Sequence, residues 1–217
     1  MYNINTKEYW DSRFNSGDWE QKKGRLQTRL YAKNNLRFIK LDKSFTGTIL
    51  DFGCGLGDSI PLYKEQYPNA KFIGIDISYK AAEKAKQAYG NYADFYQGDF
   101  QAVPVVDVII ASHVFEHLTN DKDIAGELLK KCNKLFISVP YKEKLLFNEH
   151  VNSYDVNYYN EFPVVKYNVF TFKYSLCLYE VRRWYNINFK NIFKKLLNKK
   201  IREATPQIIF CLQGQKK

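Results

Sequence analysis

The sequence predicts a doubly wound α/β domain with a mostly parallel sheet, and three observations support this prediction. From residue 48 onward, short and almost continuously apolar segments alternate with amphipathic segments. Parallel strands that are covered by helices on both faces have this pattern, because both sides of each strand are buried. The 217-residue chain is long enough for one such domain, and no linker or internal repeat divides it.

The predicted strands and helices alternate in the order that such a sheet requires. Strands are expected at 48–52, 71–75, 95–96, 105–111 and 135–139, with helices from Ser59, over 78–89 and over 121–131 between them. Two earlier helices are expected over 6–14, with Thr6 as the N-cap, and over 26–41. After Pro140 the pattern predicts one or two strands within 164–178, a basic helix over 189–199 and a closing strand over 208–212.

Composition and charge indicate a globular protein whose partner is anionic. The formal net charge is +10, which favours nucleic acid, phosphorylated small molecules or a membrane surface without choosing among them. Much of the excess charge lies near the C-terminal end, in Arg182, Arg183, Lys190, Lys194, Lys195, Lys199, Lys200 and Arg202. A solvated helix face and a surface for an anionic acceptor are both compatible with this cluster.

Two features favour a cytoplasmic protein. The start of the chain lacks the basic and apolar segments of a signal peptide, and the apolar run over 105–111 is too short to cross a bilayer. The four cysteines lie far apart and form no metal-ligand spacing, which predicts free thiols: Cys54, Cys132, Cys177 and Cys211.

A glycine-rich loop follows the first predicted strand, in the sequence Asp51-Phe-Gly53-Cys-Gly55-Leu-Gly57-Asp58. Glycines at this point let the chain turn sharply and let a ligand approach the backbone closely. The dinucleotide pattern G-x-G-x-x-G would need glycine at position 58, and the phosphate-loop pattern is absent. The loop therefore argues against an NAD enzyme.

Charge in the loop favours a cationic ligand over a pyrophosphate. Carboxylates at Asp51 and Asp58 would oppose a pyrophosphate at the helix N-terminus. They would attract a ligand that carries an ammonium and a sulfonium group, and S-adenosylmethionine is such a ligand. A tight strand-to-helix turn with helix-capping aspartates is the alternative.

Acidic residues also end the next two predicted strands. Asp76 lies about twenty residues beyond the loop, where a carboxylate can accept hydrogen bonds from both hydroxyls of a ribose. Asp99 follows Gly98 at the end of the third strand, where a carboxylate can accept from an adenine amine while Ile77 or Phe100 packs on the ring. Turns favour single aspartates, but three strand ends in succession predict a ligand site.

Four motifs resemble class I S-adenosylmethionine-dependent methyltransferases: 51–57, 74–78, 98–99 and 112–118. The resemblance is strong over about 45–140 and implies a Rossmann-like, seven-stranded sheet with an antiparallel edge strand. It implies that Asp51 and the loop glycines hold the methionine end, Asp76 the ribose, and Asp99 with Phe100 the adenine. Ser112 and His113 would lie beneath the sulfonium, and Cys54 would serve in packing at the cofactor site.

The residues His113-Val-Phe-Glu116-His117 also spell the H-x-x-E-H pattern of some zinc proteases. That pattern needs a long helix and a further ligand, whereas here it directly follows a strand and only His150 remains elsewhere. We therefore predict no metal site. His117 and His150, with His113 and Tyr141 as further candidates, are expected at the acceptor end, where a base would assist a hydroxyl acceptor. Packed, non-catalytic histidines are the alternative.

Three regions of one domain are expected. Residues 1–44 would form a helical lid over the cofactor, 45–140 the cofactor-binding core, and 141–217 the loops, basic helix and strands of the acceptor side.

The resemblance extends to small bacterial enzymes that methylate metabolites or sugar units of surface polysaccharides, so we predict a small anionic acceptor. The aromatic motif of amino-directed nucleic-acid enzymes is missing after the fourth strand. An RNA or protein methyltransferase and a non-catalytic cofactor-binding protein stay open, as does a homodimer.

Overall fold

The computed structural model describes residues 4–144, 146, 149–170, 178–199 and 206–216. The helices are α1 (Lys7–Asn15), α2 (Asp18–Gln21), α3 (Gly24–Phe38), α4 (Ile60–Gln66), α5 (Tyr79–Tyr89), α6 (Asp121–Leu129) and α7 (Leu178–Leu196). The strands are β1 (Thr48–Phe52), β2 (Lys71–Asp76), β3 (Asp94–Gln97), β4 (Val108–Ser112), β5 (Lys134–Pro140), β6 (Val164–Phe170) and β7 (Gln207–Gln213). Among these residues, no helix combines the length and apolarity that a membrane span requires.

The seven strands form one sheet in the order β3-β2-β1-β4-β5-β7-β6. The first five strands in sequence are parallel, and β7 runs antiparallel to both β5 and β6. The predicted antiparallel strand is therefore confirmed, but it lies one position inside the edge because β6 pairs with its outer side. Because β1, β2 and β4 are parallel, their carboxyl ends lie at one edge of the sheet. The strand order changes direction between β1 and β4, and doubly wound sheets bind ligands at such a point.

Apolar strand residues are buried on both faces of the sheet. Leu50 and Ile109 belong to one hydrophobic cluster, and Ile49 and Val108 belong to another. Neighbouring residues of one strand point to opposite faces, so each strand contributes to both clusters. This is the reason that the strands read as continuous apolar runs.

The element boundaries differ from the sequence expectations where long-range contacts decide them. The fourth strand starts at Val108, because the backbone N–H of Val106 donates to the Lys131 carbonyl and Asp107 accepts from Thr48. The short helix α2 was not predicted, and α7 begins earlier than the expected 189–199. Within the predicted strand region 164–178, residues 171–177 lie outside the described residues, as do Cys177, Lys200 and Arg202.

Three tyrosines fix the segment that follows β5 onto α6. The hydroxyl groups of Tyr154, Tyr158 and Tyr159 donate hydrogen bonds to the buried carboxylate of Asp121 at 3.0–3.2 Å. Burial raises the pKa of Asp121 above its ordinary value, against these hydrogen bonds that lower it. This cluster holds the segment beside the carboxyl end of the sheet, where residues 143, 149 and 150 line a cavity.

Candidate functional site

A cavity of about 940 Å³ opens at the carboxyl ends of the strands. The ends of β1, β2 and β4 and the loops that follow them line it, together with residues of α1 to α3. Residues 143, 149 and 150, beyond β5, complete the wall on one side. Three sequence regions that were predicted to share a site therefore line one cavity.

Asp51, at the end of β1, is a buried carboxylate that lines this cavity. The hydroxyl of Ser59, just before α4, donates a hydrogen bond to it. Burial raises the pKa of Asp51 to about 7, the nearby Asp76 adds to this increase, and the Ser59 hydrogen bond opposes it. A cationic ligand would favour the ionised form of this carboxyl group.

The glycine loop serves two purposes. Gly53 and Gly55 line the cavity with positive φ angles of 70° and 53°. Gly57 also has a positive φ, but it is not part of the cavity lining: a Cβ at this position would lie 2.9 Å from Phe95 and 3.2 Å from Ala85. The prediction that Gly57 contacts the cofactor is therefore corrected, because this glycine lets the loop pack against α5 and β3.

Asp58 is likewise not part of the cavity lining, which corrects its prediction as a cofactor-binding residue. Its buried carboxylate accepts hydrogen bonds from Tyr89 at 2.8 Å and from Arg25 at 3.2 Å, with Arg29 at 3.5 Å. The turn at Gly57 directs the side chain toward α3 and α5. Asp58 therefore ties these helices together, and the charge argument for a cationic ligand depends on Asp51.

Asp76 ends β2 in the position predicted for it. One carboxylate oxygen accepts from the Gly55 backbone N–H at 2.8 Å, and the other accepts from the Ser78 N–H at 2.9 Å. Burial raises the pKa of Asp76 to about 6, against these two hydrogen bonds. The side chain lines the cavity, and each carboxylate oxygen retains lone-pair capacity for a ligand hydroxyl.

The remaining residues predicted for the cofactor also line the cavity: Cys54, Ile77, Gly98, Asp99, Phe100, Ser112 and His113. The Asp99 carboxylate accepts from the Gln101 N–H at 2.9 Å and caps a short 3-10 helix at Phe100–Ala102. Ile77 is partly exposed beside it. Cys54 is buried in a hydrophobic cluster, and burial raises the pKa of its thiol, in keeping with its predicted packing role.

The N-terminal helices contribute aromatic side chains to the cavity. Trp10, Phe14 and Trp19 line it together with Gln27, and all four lie within the predicted lid, residues 1–44. Asp11 of α1 accepts hydrogen bonds from the Ser78 hydroxyl and the Lys80 N–H, which joins this region to the start of α5. Its function as a lid stays a prediction.

His113 adopts a left-handed backbone conformation, with φ of 58°, directly after β4. A non-glycine residue in this region stores strain, and such residues cluster at functional sites. Its ring stacks on Tyr31 at 3.7 Å, and its Nδ1 donates to Glu116 Oε1 at 2.9 Å. Ser112 accepts from Asn35 at 3.0 Å. Tyr31 and Asn35 had no distinctive sequence pattern and were not predicted.

Glu116, His117 and His150 form a cluster in the lining of the cavity. One ligand atom from each side chain lies within 4.8 Å of the other two. Burial alone would raise the pKa of Glu116, but its interaction with His113 and the charges of His117 and His150 lower it overall. Burial lowers the pKa of His117. Burial also acts to lower the pKa of His150, but the hydrogen bond to Glu143 and the charges of Glu116, Glu143 and Glu149 together raise it.

Hydrogen bonds hold both clustered histidine rings. His117 Nδ1 donates to the Glu149 carbonyl oxygen at 3.0 Å, and His150 Nδ1 donates to Glu143 Oε2 at 2.5 Å. The Glu149 side chain pairs with Arg13 of α1.

Tyr141 is not part of the cavity lining, which corrects its prediction as a candidate base: it packs on the core and pairs with Tyr154. Asn148, in the predicted acceptor segment, lies outside the described residues.

The strand order, the glycine loop and the acidic strand ends define the class I methyltransferase fold. The sequence model of the family described as "Methyltransferase domain" matches residues 49–135. The matched residues run from β1 to the start of β5, and over them the chain is similar to this family.

Two curated relatives match part of the chain. The chain is 32% identical over 102 residues to trans-aconitate 2-methyltransferase of Azoarcus sp. (strain BH72). This match covers 46% of the chain and 39% of the relative. The chain is also 33% identical over 93 residues to malonyl-[acyl-carrier protein] O-methyltransferase of Anoxybacillus flavithermus. This match covers 40% of the chain and 35% of the relative. The matches thus span well under half the length of these relatives.

A solved structure resembles most of the chain. The plantazolicin methyltransferase BpumL in complex with SAH superimposes with a TM-score of 0.61 and 18% identity. The match covers 94% of this chain and 91% of BpumL. At this level of identity the similarity establishes the fold.

Proposed function

We propose that the protein transfers a methyl group from S-adenosylmethionine to an oxygen or nitrogen atom of a small, anionic acceptor. The observation that carries this proposal is the convergence of Asp51, Asp76 and Asp99 in one cavity. Asp51 and Asp76 are buried and Asp99 is exposed. Buried carboxylates require donors or cations as partners, and all three carboxylates can accept hydrogen bonds, so the cavity favours a ligand with ammonium, hydroxyl and amine groups. The family match and the SAH in the BpumL structure support the same cofactor.

The chain's own residues would bind the cofactor in the order of the strands. S-adenosylmethionine supplies a methyl group that is activated by its bond to a positively charged sulfur. Asp51 would bind the ammonium group, and Asp76 would accept hydrogen bonds from the ribose hydroxyls. Asp99 would accept from the adenine amine, with Ile77 and Phe100 packed against the ring.

The acceptor would enter beside His113, His117 and His150. A hydroxyl acceptor must lose its proton as the new bond forms, and a neutral imidazole can take it. Because the carbonyl of Glu149 can only accept, His117 Nδ1 carries the ring proton and Nε2 carries the lone pair. His117 is therefore the proton acceptor that we favour among the predicted bases.

The relatives support a small carboxylate-bearing acceptor. Their names specify trans-aconitate and malonyl-[acyl-carrier protein], and both compounds carry carboxylate groups. A sugar or phosphorylated unit of surface polysaccharide is the finer alternative that the sequence predicted. Either acceptor would be anionic or rich in oxygen atoms.

Calorimetric titration with S-adenosylhomocysteine tests the cofactor assignment, with NAD as a parallel control. We expect micromolar binding of S-adenosylhomocysteine and no binding of NAD. Binding of NAD alone would overturn the proposal. Candidate acceptors would then be screened by mass spectrometry for a product that is heavier by one methyl group.

Binding of S-adenosylhomocysteine is expected to release protons near pH 6.5. The pKa of Asp51 is raised to about 7, so this carboxyl group is partly protonated there, and the ligand's ammonium group would stabilise its ionised form. Calorimetry in two buffers of different ionisation enthalpy measures the number of protons released. The release should fall toward pH 8 and should be smaller in the Asp51→Asn variant. Equal release by the two proteins would contradict the role of Asp51.

A further inference from the structure

Helix α7 exposes large apolar side chains to solvent. None of the residues 185–199 is buried. Five apolar side chains in the last turns of the helix and directly after it are between 52% and 78% exposed: Phe189, Ile192, Phe193, Leu196 and Leu197. Single exposed apolar residues are common on proteins, whereas a contiguous set of this size marks an interaction surface. We call these five residues the α7 surface.

The residues of the α7 surface lie on one side of the helix. Side chains that are three, four or seven positions apart share a helix face, and residues 189, 192, 193 and 196 have this spacing. The rings of Phe189 and Phe193 contact each other edge to face, with their centroids 5.3 Å apart. A surface helix normally packs such an apolar stripe onto the core. The exposure of the α7 surface shows that this helix directs its stripe to solvent instead.

Positive charge flanks the stripe. Between residues 181 and 202 the sequence contains eight lysine and arginine residues and no aspartate or glutamate. At about 3.6 residues per turn, Lys190 and Lys194 lie on one side of the stripe and Lys195 lies on the other. Lysine side chains can bury their methylene groups against apolar material and keep the ammonium group in a polar layer. An apolar stripe between basic flanks is typical of helices that lie in the interface of an anionic membrane.

We propose that α7 binds the surface of an anionic phospholipid membrane. The α7 surface would enter the boundary between headgroups and acyl chains, and the flanking lysines would contact the anionic headgroups. The helix would lie along the interface, because its basic residues make a position in the hydrocarbon core costly. Apolar burial and charge attraction both contribute to the binding of such a helix.

Two other occupants agree less well with these residues. Nucleic acid would pair with the lysines, but its charged phosphate backbone would not cover the leucine and isoleucine side chains. A second copy of the chain would cover the apolar stripe. In a two-fold contact, however, it would bring the basic flanks of the two helices together, and like charges repel. The combination of an apolar stripe with positive charge on both sides therefore favours lipid.

The place of α7 in the fold relates this surface to the cavity. The helix lies in the connection between β6 and β7, and the strand residues at the two ends of that connection, Phe170 and Gln207, pair with each other. Gln207 also pairs with Pro140 at the carboxyl end of β5, and both residues line the cavity. Membrane binding through α7 would therefore tether the edge of the sheet at which the cavity opens. Binding of lipid goes beyond the proposed function and does not depend on it.

Co-sedimentation with lipid vesicles tests the proposal. The protein is mixed with vesicles of phosphatidylcholine alone, or of phosphatidylcholine with about one-third phosphatidylglycerol, which is anionic. We expect the anionic vesicles to bind the wild-type protein at least about 10-fold more tightly than the neutral vesicles. Raising the salt concentration from about 0.1 M to about 1 M should weaken this binding, because the shorter Debye length screens the charges.

Two double variants separate the apolar contribution from the charged one. Phe193→Gln with Leu196→Gln removes two apolar side chains and should weaken binding to anionic vesicles by at least about 10-fold. Lys190→Gln with Lys194→Gln removes two charges and should also weaken it by at least about 10-fold. Only the charge variant should lose most of the dependence on phosphatidylglycerol.

The controls make the same changes elsewhere on the protein. Tyr96→Gln with Val105→Gln alters two apolar side chains outside the cavity lining that are 55% and 53% exposed. Lys33→Gln with Lys86→Gln removes two exposed charges from α3 and α5. Both controls should bind anionic vesicles within about twofold of wild type, because charges that do not face the membrane are screened. Circular dichroism and titration with S-adenosylhomocysteine show whether each variant is folded and retains its cavity.

Several results would overturn the inference. One is wild-type protein that binds anionic vesicles no more tightly than neutral ones, and another is unchanged binding in both α7 variants. A dimer that the apolar variant abolishes, in protein that does not bind vesicles, would assign the α7 surface to a second copy. RNA binding that the lysine variant abolishes, again without vesicle binding, would assign it to nucleic acid. Cofactor binding without vesicle binding refutes the membrane surface alone, and vesicle binding without cofactor binding refutes the proposed function alone.

Discussion

Replacing Asp76 with alanine is expected to weaken S-adenosylhomocysteine binding by at least about 100-fold. The proposed contact consists of two hydrogen bonds from ribose hydroxyls to one carboxylate. Hydrogen bonds to charged groups contribute about 1.5–3 kcal/mol each, and 2.7 kcal/mol corresponds to about 100-fold in Kd. The Gly55 and Ser78 N–H groups also lose their acceptor, so the loop that shapes the cavity loosens as well.

Calorimetry measures this loss, and Asp58→Asn is the matched control. Both residues are buried aspartates near the glycine loop, but only Asp76 lines the cavity. Asp58→Asn should lower stability, because Tyr89, Arg25 and Arg29 surround its carboxylate, and should change the Kd by less than about twofold. Near wild-type affinity in folded Asp76→Ala protein would refute the ribose assignment.

Replacing Gly53 with alanine is expected to lower the free energy of unfolding by about 2–5 kcal/mol. A Cβ at this position would lie 2.2 Å from Cγ2 of Val114, and the residue has a φ of 70°. Overpacking costs about 1–3 kcal/mol and a left-handed backbone about 1–2 kcal/mol for a residue with a Cβ. Chemical denaturation measures the change.

Gly55→Ala separates the two causes. Gly55 also has a positive φ, but the nearest atom to its added Cβ would be Phe14 Cζ at 3.6 Å, an ordinary contact. Gly55→Ala should therefore lose only the stability that the left-handed backbone costs, about 1–2 kcal/mol. Adding Val114→Ala should restore part of the stability of Gly53→Ala protein. Equal losses in the two glycine variants would show that the contact with Val114 is unimportant.

The sequence by itself determined the sheet core and the strand-end residues that line the cavity. Continuous apolar runs identified β1 to β5, and the aspartates that follow three of these runs converge as predicted. The convergence of the three aspartates could be predicted because each lies at a strand end, and parallel strands bring their carboxyl ends to one edge. The N-cap Thr6 and the helix that follows it were equally local signals.

Only the tertiary structure decided the rest of the site. The turn at Gly57 directed Asp58 away from the cavity, and Arg13 met Glu149 across 136 residues of sequence. The path of the chain after β5 brought His150 to His117 and left Tyr141 on the core. Strand periodicity follows from the backbone repeat and is visible in a short window. A loop's path depends on distant packing partners, such as the three tyrosines on Asp121, and no local pattern encodes it.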